Sequence, residues 1–267
     1  MLDALKRHWP EYLMEAAGLA TFMISAALFT AILEYPASPV RQAIMEPFLR
    51  RMLVGIAMGL TAIAIIYSPW GKQSGAHLNP AITLTFLWLG KIEPWDALFY
   101  IMAQFAGGVA GVLLVSATLA KPMADPAVNY VVTIPGSSGT LAAFLAELVI
   151  SFVLMIEVLV TSNSCRLSRF TGALAGILIA VYIALEAPYS GMSMNPARTV
   201  ASALPAHLWT AWWVYFTAPP LGMLLAAGFY LRLQEYPVFC AKLHHDNDKR
   251  CIFRHGHHVG RGDVVQI

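Results

Sequence analysis

Charge is scarce in this chain: 12% of its 267 residues are Asp, Glu, Lys or Arg, against roughly 25% in an ordinary soluble domain. With 58% apolar residues, that shortage argues against a globule that water alone could keep dissolved. A formal net charge of +2 leaves no basic surface of the kind nucleic acid demands, so the partner implied is lipid. Cysteine is nearly absent. Cys165, Cys240 and Cys251 form no paired framework, which argues against a disulfide scaffold and leaves free thiols as the expectation. A cleavable leader is not expected either. Lys6, Arg7 and His8 precede an apolar run from Tyr12 to Leu33, but that run is too long for a signal core, holds Glu15, and precedes no convincing cleavage motif.

What the chain does have is long apolar runs. Segments 11–33, 51–69, 95–119, 139–161, 168–187 and 208–232 each suffice for a hydrocarbon core about 30 Å thick. Pro, Gly and Ser punctuate the connections. Positive residues favour the inner side of a membrane. Lys6, Arg7, Lys72, Lys91, Arg166, Arg169 and the basic residues after the sixth run then face the cytoplasm, opposite Arg41, Arg50, Arg51 and Lys121, so both termini are expected to be cytoplasmic. The expected layout is a cytoplasmic N-terminus (1–10), a membrane domain (11–232, with repeats near 11–119 and 139–232) and a cytoplasmic tail (233–267).

Two apolar stretches, Pro80 to Leu89 and Pro196 to Leu204 (stopped by Pro205), are too short to cross. At about 1.5 Å per residue each spans half a bilayer. They follow matching octets: Ser74-Gly75-Ala76-His77-Leu78-Asn79-Pro80-Ala81 and Ser190-Gly191-Met192-Ser193-Met194-Asn195-Pro196-Ala197. Glu15 in the first span is echoed by Glu147 in the fourth. Three spans per copy invert the second copy, so two half-helices enter from opposite sides. Asn suits the N-cap and Pro the first helical position, so both half-helices start at their Asn with positive dipole ends facing each other. Such ends repel cations and protons. Each Asn amide retains N–H groups for the oxygen of a passing water, and irregular backbone in 71–78 and 188–194 supplies carbonyl acceptors.

Over about residues 11–232 the chain resembles the aquaporin, or major intrinsic protein, family. The paired Asn-Pro-Ala triplets carry the resemblance, with Tyr100-Ile101-Met102-Ala103-Gln104 and Trp213-Val214-Tyr215-Phe216 leading to Pro219 and Gly222. It implies an all-α membrane protein of six transmembrane helices plus two re-entrant half-helices in an inverted repeat, assembled as a homotetramer with one pore per subunit. Asn79, Pro80, Ala81, Asn195, Pro196 and Ala197 then line the pore, and Arg198 sits in the outer constriction. The other constriction positions depart from the water-channel pattern: Ile183 replaces the usual His, Met192 a small residue, and Met58 an aromatic. Matching Met58 needs one inserted residue in the 68–73 loop; without it the position is Gly59.

That filter has one polar wall, whereas Thr199, Tyr215 and Phe216 match the water branch more than the glycerol one. Water is the expected solute, with hydrogen peroxide, ammonia, carbon dioxide and glycerol as further candidates. No catalysis and no cofactor are expected, and the location is the plasma (cell inner) membrane. The competing readings are an ion-coupled secondary transporter and a closed structural member of the family. Glu15, Glu147 and His77 are expected to support the loops, His77 by pinning its loop rather than by facing the cytoplasmic mouth. The tail from Tyr236 carries Cys240, His244, His245, Cys251, His255, His257 and His258, but their spacing matches no standard zinc finger. A solvated or partly ordered tail is expected there, with no metal, and Arg261-Gly262-Asp263 is read as chance.

Overall fold

The computed structural model describes residues 1–233, 238–245 and 247–255. His257, His258 and Arg261-Gly262-Asp263 lie outside the described residues. Among the described residues every regular element is helical, and six helices are long and apolar enough to cross a membrane. The first half comprises α1 (Leu2–Glu34), α2 (Pro47–Tyr67), the short α3 (Pro80–Trp88) and α4 (Pro94–Thr118). The second comprises α5 (Gly139–Ser162), α6 (Thr171–Leu185), the short α7 (Pro196–Ala206) and α8 (Trp212–Leu233).

Several boundaries differ from the hydropathy reading. Residues 1–10 are no separate segment: α1 starts at Leu2 and carries Pro10 inside it. Its first turns are polar, which hides them from hydropathy, and proline's fixed φ is itself helical. Likewise α7 passes through Pro205 and stops after Ala206, where His207 takes a left-handed φ of 51°. The loops before α3 and α7 are partly helical. Pro69–Ser74 and Ala187–Ser190 each form a short turn of helix, the first capped by Ser68 Oγ accepting from Gly71 N (3.0 Å). The irregular backbone is thereby confined to Gly75–Leu78 and Gly191–Met194.

In lipid, close backbone approach holds helices together better than apolarity does. α1 packs chiefly on α4, α8 on α5, and α2 on α6. A Cβ at Gly107 would lie 2.1 Å from Ala16 O, and one at Gly222 would lie 2.4 Å from Leu148 O, so only glycine permits these crossings. The short helices interlock the halves: α7 packs most on α4, and α3 most on α8. Outward-facing Leu60, Leu114, Val149, Ile177 and Leu225 are exposed, as a lipid-facing surface requires.

The described part of the tail is ordered against the bundle. Residues 238–245 and 247–255 lie against the end of the bundle where α1 begins and α8 finishes. Leu243 N donates to Gly75 O (3.1 Å), Arg254 N to Lys91 O (3.0 Å) and Phe239 N to Asn163 Oδ1 (2.6 Å). Their partners lie far away in sequence, so periodicity gave no sign of them.

Candidate functional site

The two octets fold alike. Gly75 and Gly191 turn the chain at φ of 91° and 80°, after which Ala76/Met192 and Leu78/Met194 take left-handed φ values between 50° and 54°. This strained path is held by one carboxylate per half. Glu15 Oε1 accepts from Ser74 Oγ (2.8 Å) and His77 N (3.1 Å); its Oε2 accepts from Leu78 N (2.6 Å) and Gln104 Nε2 (2.9 Å). Glu147 repeats the pattern, accepting from Ser190 Oγ, Ser193 N and Met194 N, each at 2.7 Å. A tyrosine completes each clamp: Tyr100 Oη donates to Ser74 O (2.8 Å) and Tyr215 Oη to Ser190 O (2.6 Å). Both glutamates are fully buried, so these bonds replace the water they have lost.

Each loop delivers an Asn to the start of its half-helix. Asn79 Oδ1 accepts from Ala81 N (2.8 Å), and Asn195 Oδ1 from Ala197 N (2.9 Å) and Arg198 N (3.2 Å). The amides then cross: Asn79 Nδ2 donates to Met194 O (2.7 Å) and Asn195 Nδ2 to Leu78 O (2.8 Å). One N–H of each amide ties the two tips together. The other remains for the space beside them, which revises the sequence picture of wholly free NH2 groups.

That space is a cavity of about 500 Å³, and Asn79, Asn195, Met58, Ile183, Met192 and Arg198 all line it. Met58, not Gly59, is on its wall: Gly59 faces α6, where a Cβ would meet Gly176 O at 2.4 Å. Arg198 Nη1 donates to Val131 O (2.9 Å), a carbonyl presented by a left-handed stretch at Asn129, Tyr130 and Val131 (φ 42°, 50° and 54°). The guanidinium therefore both fixes that loop and borders the cavity. Most other lining is apolar, including Val54, Leu154 and Ile179.

His77 also does two things. It borders the cavity, pairs its Nδ1 with Thr83 Oγ1 (3.1 Å), and donates from Nε2 to Ala241 O of the tail (2.8 Å). Its ring lies between Phe86 and Phe253, at centroid distances of 5.1 and 5.3 Å. Leu243 of the tail joins the cavity wall at the same end. The tail thus forms part of the cavity's floor.

Comparison with known proteins agrees with this geometry, since the family model for the major intrinsic protein matches residues 6–230. The chain belongs to the major intrinsic protein family. Among its relatives is a probable NIP-type aquaporin of Nicotiana alata, 36% identical over 188 residues, covering 68% of this chain and 67% of that one. Aquaporin NIP6-1 of Arabidopsis thaliana is 38% identical over 182 residues (67% and 57%), and aquaporin-4 of Bos taurus 33% over 192 residues (71% and 57%). The chain thus spans between 57% and 67% of the length of these three relatives. The solved aquaglyceroporin of Plasmodium falciparum has the same fold, with a TM-score of 0.67 at 19% identity, covering 84% of this chain and 95% of that one. Members of this family are membrane channels.

Some parts of the site in this family member went unnoticed in the sequence. Tyr100 and Tyr215 stood out only as pieces of the family pattern, although each sits at the same offset from its octet's Ser as the other, one residue aside. Leu243 and Ala241 carried no signal at all.

Proposed function

We propose that the chain is a passive channel for water and for small neutral solutes such as hydrogen peroxide, ammonia, carbon dioxide or glycerol, and that it excludes ions and protons. The observation that carries this reading is the reciprocal pair of Asn amides at the meeting point of two helix N-termini, on the wall of one cavity. A water there receives hydrogen bonds from both amides and so directs its own hydrogens away, which breaks a proton relay. The two positive helix ends and Arg198 oppose cations.

Selection among neutral solutes is assigned to Met58, Ile183, Met192 and Arg198. Only Arg198 offers strong donors, and methionine side chains repack readily, so the constriction discriminates weakly by polarity. Relatives named as NIP-type aquaporins and as aquaporin-4 support a water and small-solute assignment. Glu15, Glu147 and His77 hold the loops. We place the protein in the plasma membrane with both termini cytoplasmic, on the strength of its basic flanks, and as a homotetramer by family analogy.

Stopped-flow swelling of proteoliposomes tests the reading. Swelling well above that of empty liposomes, unaffected by imposed ion gradients, is expected, with Met192→Ala raising glycerol entry by about threefold or more. Dependence on an ion gradient would mean a coupled transporter, and no swelling in either protein would overturn the channel.

A further inference from the structure

The tail holds a side-chain cluster that the channel does not use. Cys240 Sγ and Cys251 Sγ are 3.6 Å apart, and with a His255 ring nitrogen all three ligand atoms lie within 4.8 Å of one another. That sulfur separation is far beyond a disulfide bond of about 2.05 Å. It is close to the edge of a zinc tetrahedron: two sulfurs each about 2.3 Å from the ion sit roughly 3.8 Å apart. Cys240 Sγ also accepts a hydrogen bond from the backbone N–H two residues on, Lys242 N (3.4 Å). Such bonds orient thiolate ligands and stabilise their charge.

The loop between the cysteines is preorganised. Lys242, 2% exposed, donates from Nζ to Lys249 O (3.1 Å) and Arg250 O (2.8 Å), which brings its two arms together. Cys240 is buried, Cys251 partly buried and His255 exposed, so an ion reaches the cluster from one side. We propose that Cys240, Cys251 and His255 bind one zinc ion, with water in the fourth position, and that this ion fastens the tail over the adjacent end of the cavity. Binding displaces one proton from each thiol to solvent and leaves imidazole neutral at its ligating nitrogen.

The neighbours of the ligands explain the consequence. Ala241, next to Cys240, bonds to His77; Leu243 lies on the cavity wall; Phe253, two residues past Cys251, stacks on His77. A metal that joins 240 to 251 therefore locks in place two arms that already lie against His77. Anchors outside the cluster, Arg254 Nη2 with Glu93 (2.5 Å) and His245 with Ser162 O, hold the arms in place without bridging them to each other. The fastening of a channel mouth rests on the function proposed above, but metal binding does not.

The test uses the full chain in detergent, stripped with chelator, reloaded with zinc and desalted. About one zinc per chain is expected, and retention should fall about tenfold or more in the Cys240→Ser/Cys251→Ser double variant, where a single imidazole remains. Zinc should slow tryptic cleavage after Lys249 and Arg250 in the wild type and not in the variant. In proteoliposomes it should slow swelling of the wild type alone. Equal zinc retention in the two proteins overturns the site, and retention without protection overturns the fastening. Protection without any swelling in either protein leaves the site standing and removes the channel reading instead.

Discussion

The two halves of the site share one scaffold and differ in what they hang on it. Glu15 and Glu147, Ser74 and Ser190, Tyr100 and Tyr215, and Asn79 and Asn195 make matching bonds in both halves. Where one half departs from the other, the departures concern access. The first half has His77, tied to Thr83 and to the tail, where the second has Ser193 tied to Thr199 (2.6 Å). The second has Arg198, bound to Val131 O, where the first has Ile82. Gln104 gives Glu15 a fourth donor, and the corresponding position of α8 is Pro219. Duplication therefore marks what holds the loops, and asymmetry, the Gln104 donor apart, marks the two ends of the cavity.

The widest break in that comparison comes from removing an acceptor. Glu15→Ala strands four donors and Glu147→Ala three, so both should lose about 3–5 kcal/mol, with Glu15→Ala the worse. Yield of monodisperse protein and its unfolding temperature read this out. Near-wild-type stability in either variant would deny the clamp its role.

A smaller effect belongs to an asymmetric residue, Glu186, just past α6. It is 8% exposed, and burial with Glu147 nearby pushes its carboxyl up to about 7. Its counterpart in the first half, Trp70, is exposed. A folded pKa above the unfolded value means that the contribution to stability is present below about pH 4.5 and is lost as pH rises through about 7. Glu186→Gln should thus be roughly 2–4 kcal/mol more stable than wild type at pH 8 and nearly equal at pH 4. Thermal unfolding at both pH values checks this, and a pH-independent difference would refute it.

The smallest effect sharpens the comparison instead. Tyr100→Phe and Tyr215→Phe each leave one serine carbonyl without its donor and should cost about 1–2 kcal/mol. The two values should agree within about 0.5 kcal/mol, because the clamps are repeats. Clearly unequal losses in denaturation curves would show that the halves share sequence without sharing energetics.

The fold was legible because lipid imposes a strong code. Six runs long enough to cross, and two that are half as long, located every major helix, and the repeated octet marked the two loops. Ends were harder: Leu2–Pro10 is polar helix, and Pro205 continues a helix it was expected to stop. At the site, the choice between Met58 and Gly59 depends on which side of α2 meets α6 at Gly176, a matter of helix rotation that spacing alone left open. The tail was opaque for another reason. Its order comes from single contacts such as Ala241 with His77 and Phe239 with Asn163, which leave no periodicity to read.

Under the proposed function, crossed Asn donors pass water while refusing protons. Proteoliposomes holding a pH-sensitive dye measure both, when swelling and proton entry under an imposed membrane potential are followed on the same preparation. Rapid swelling with proton entry no faster than in empty liposomes is the predicted result. Proton entry that rises in step with water flux would contradict it.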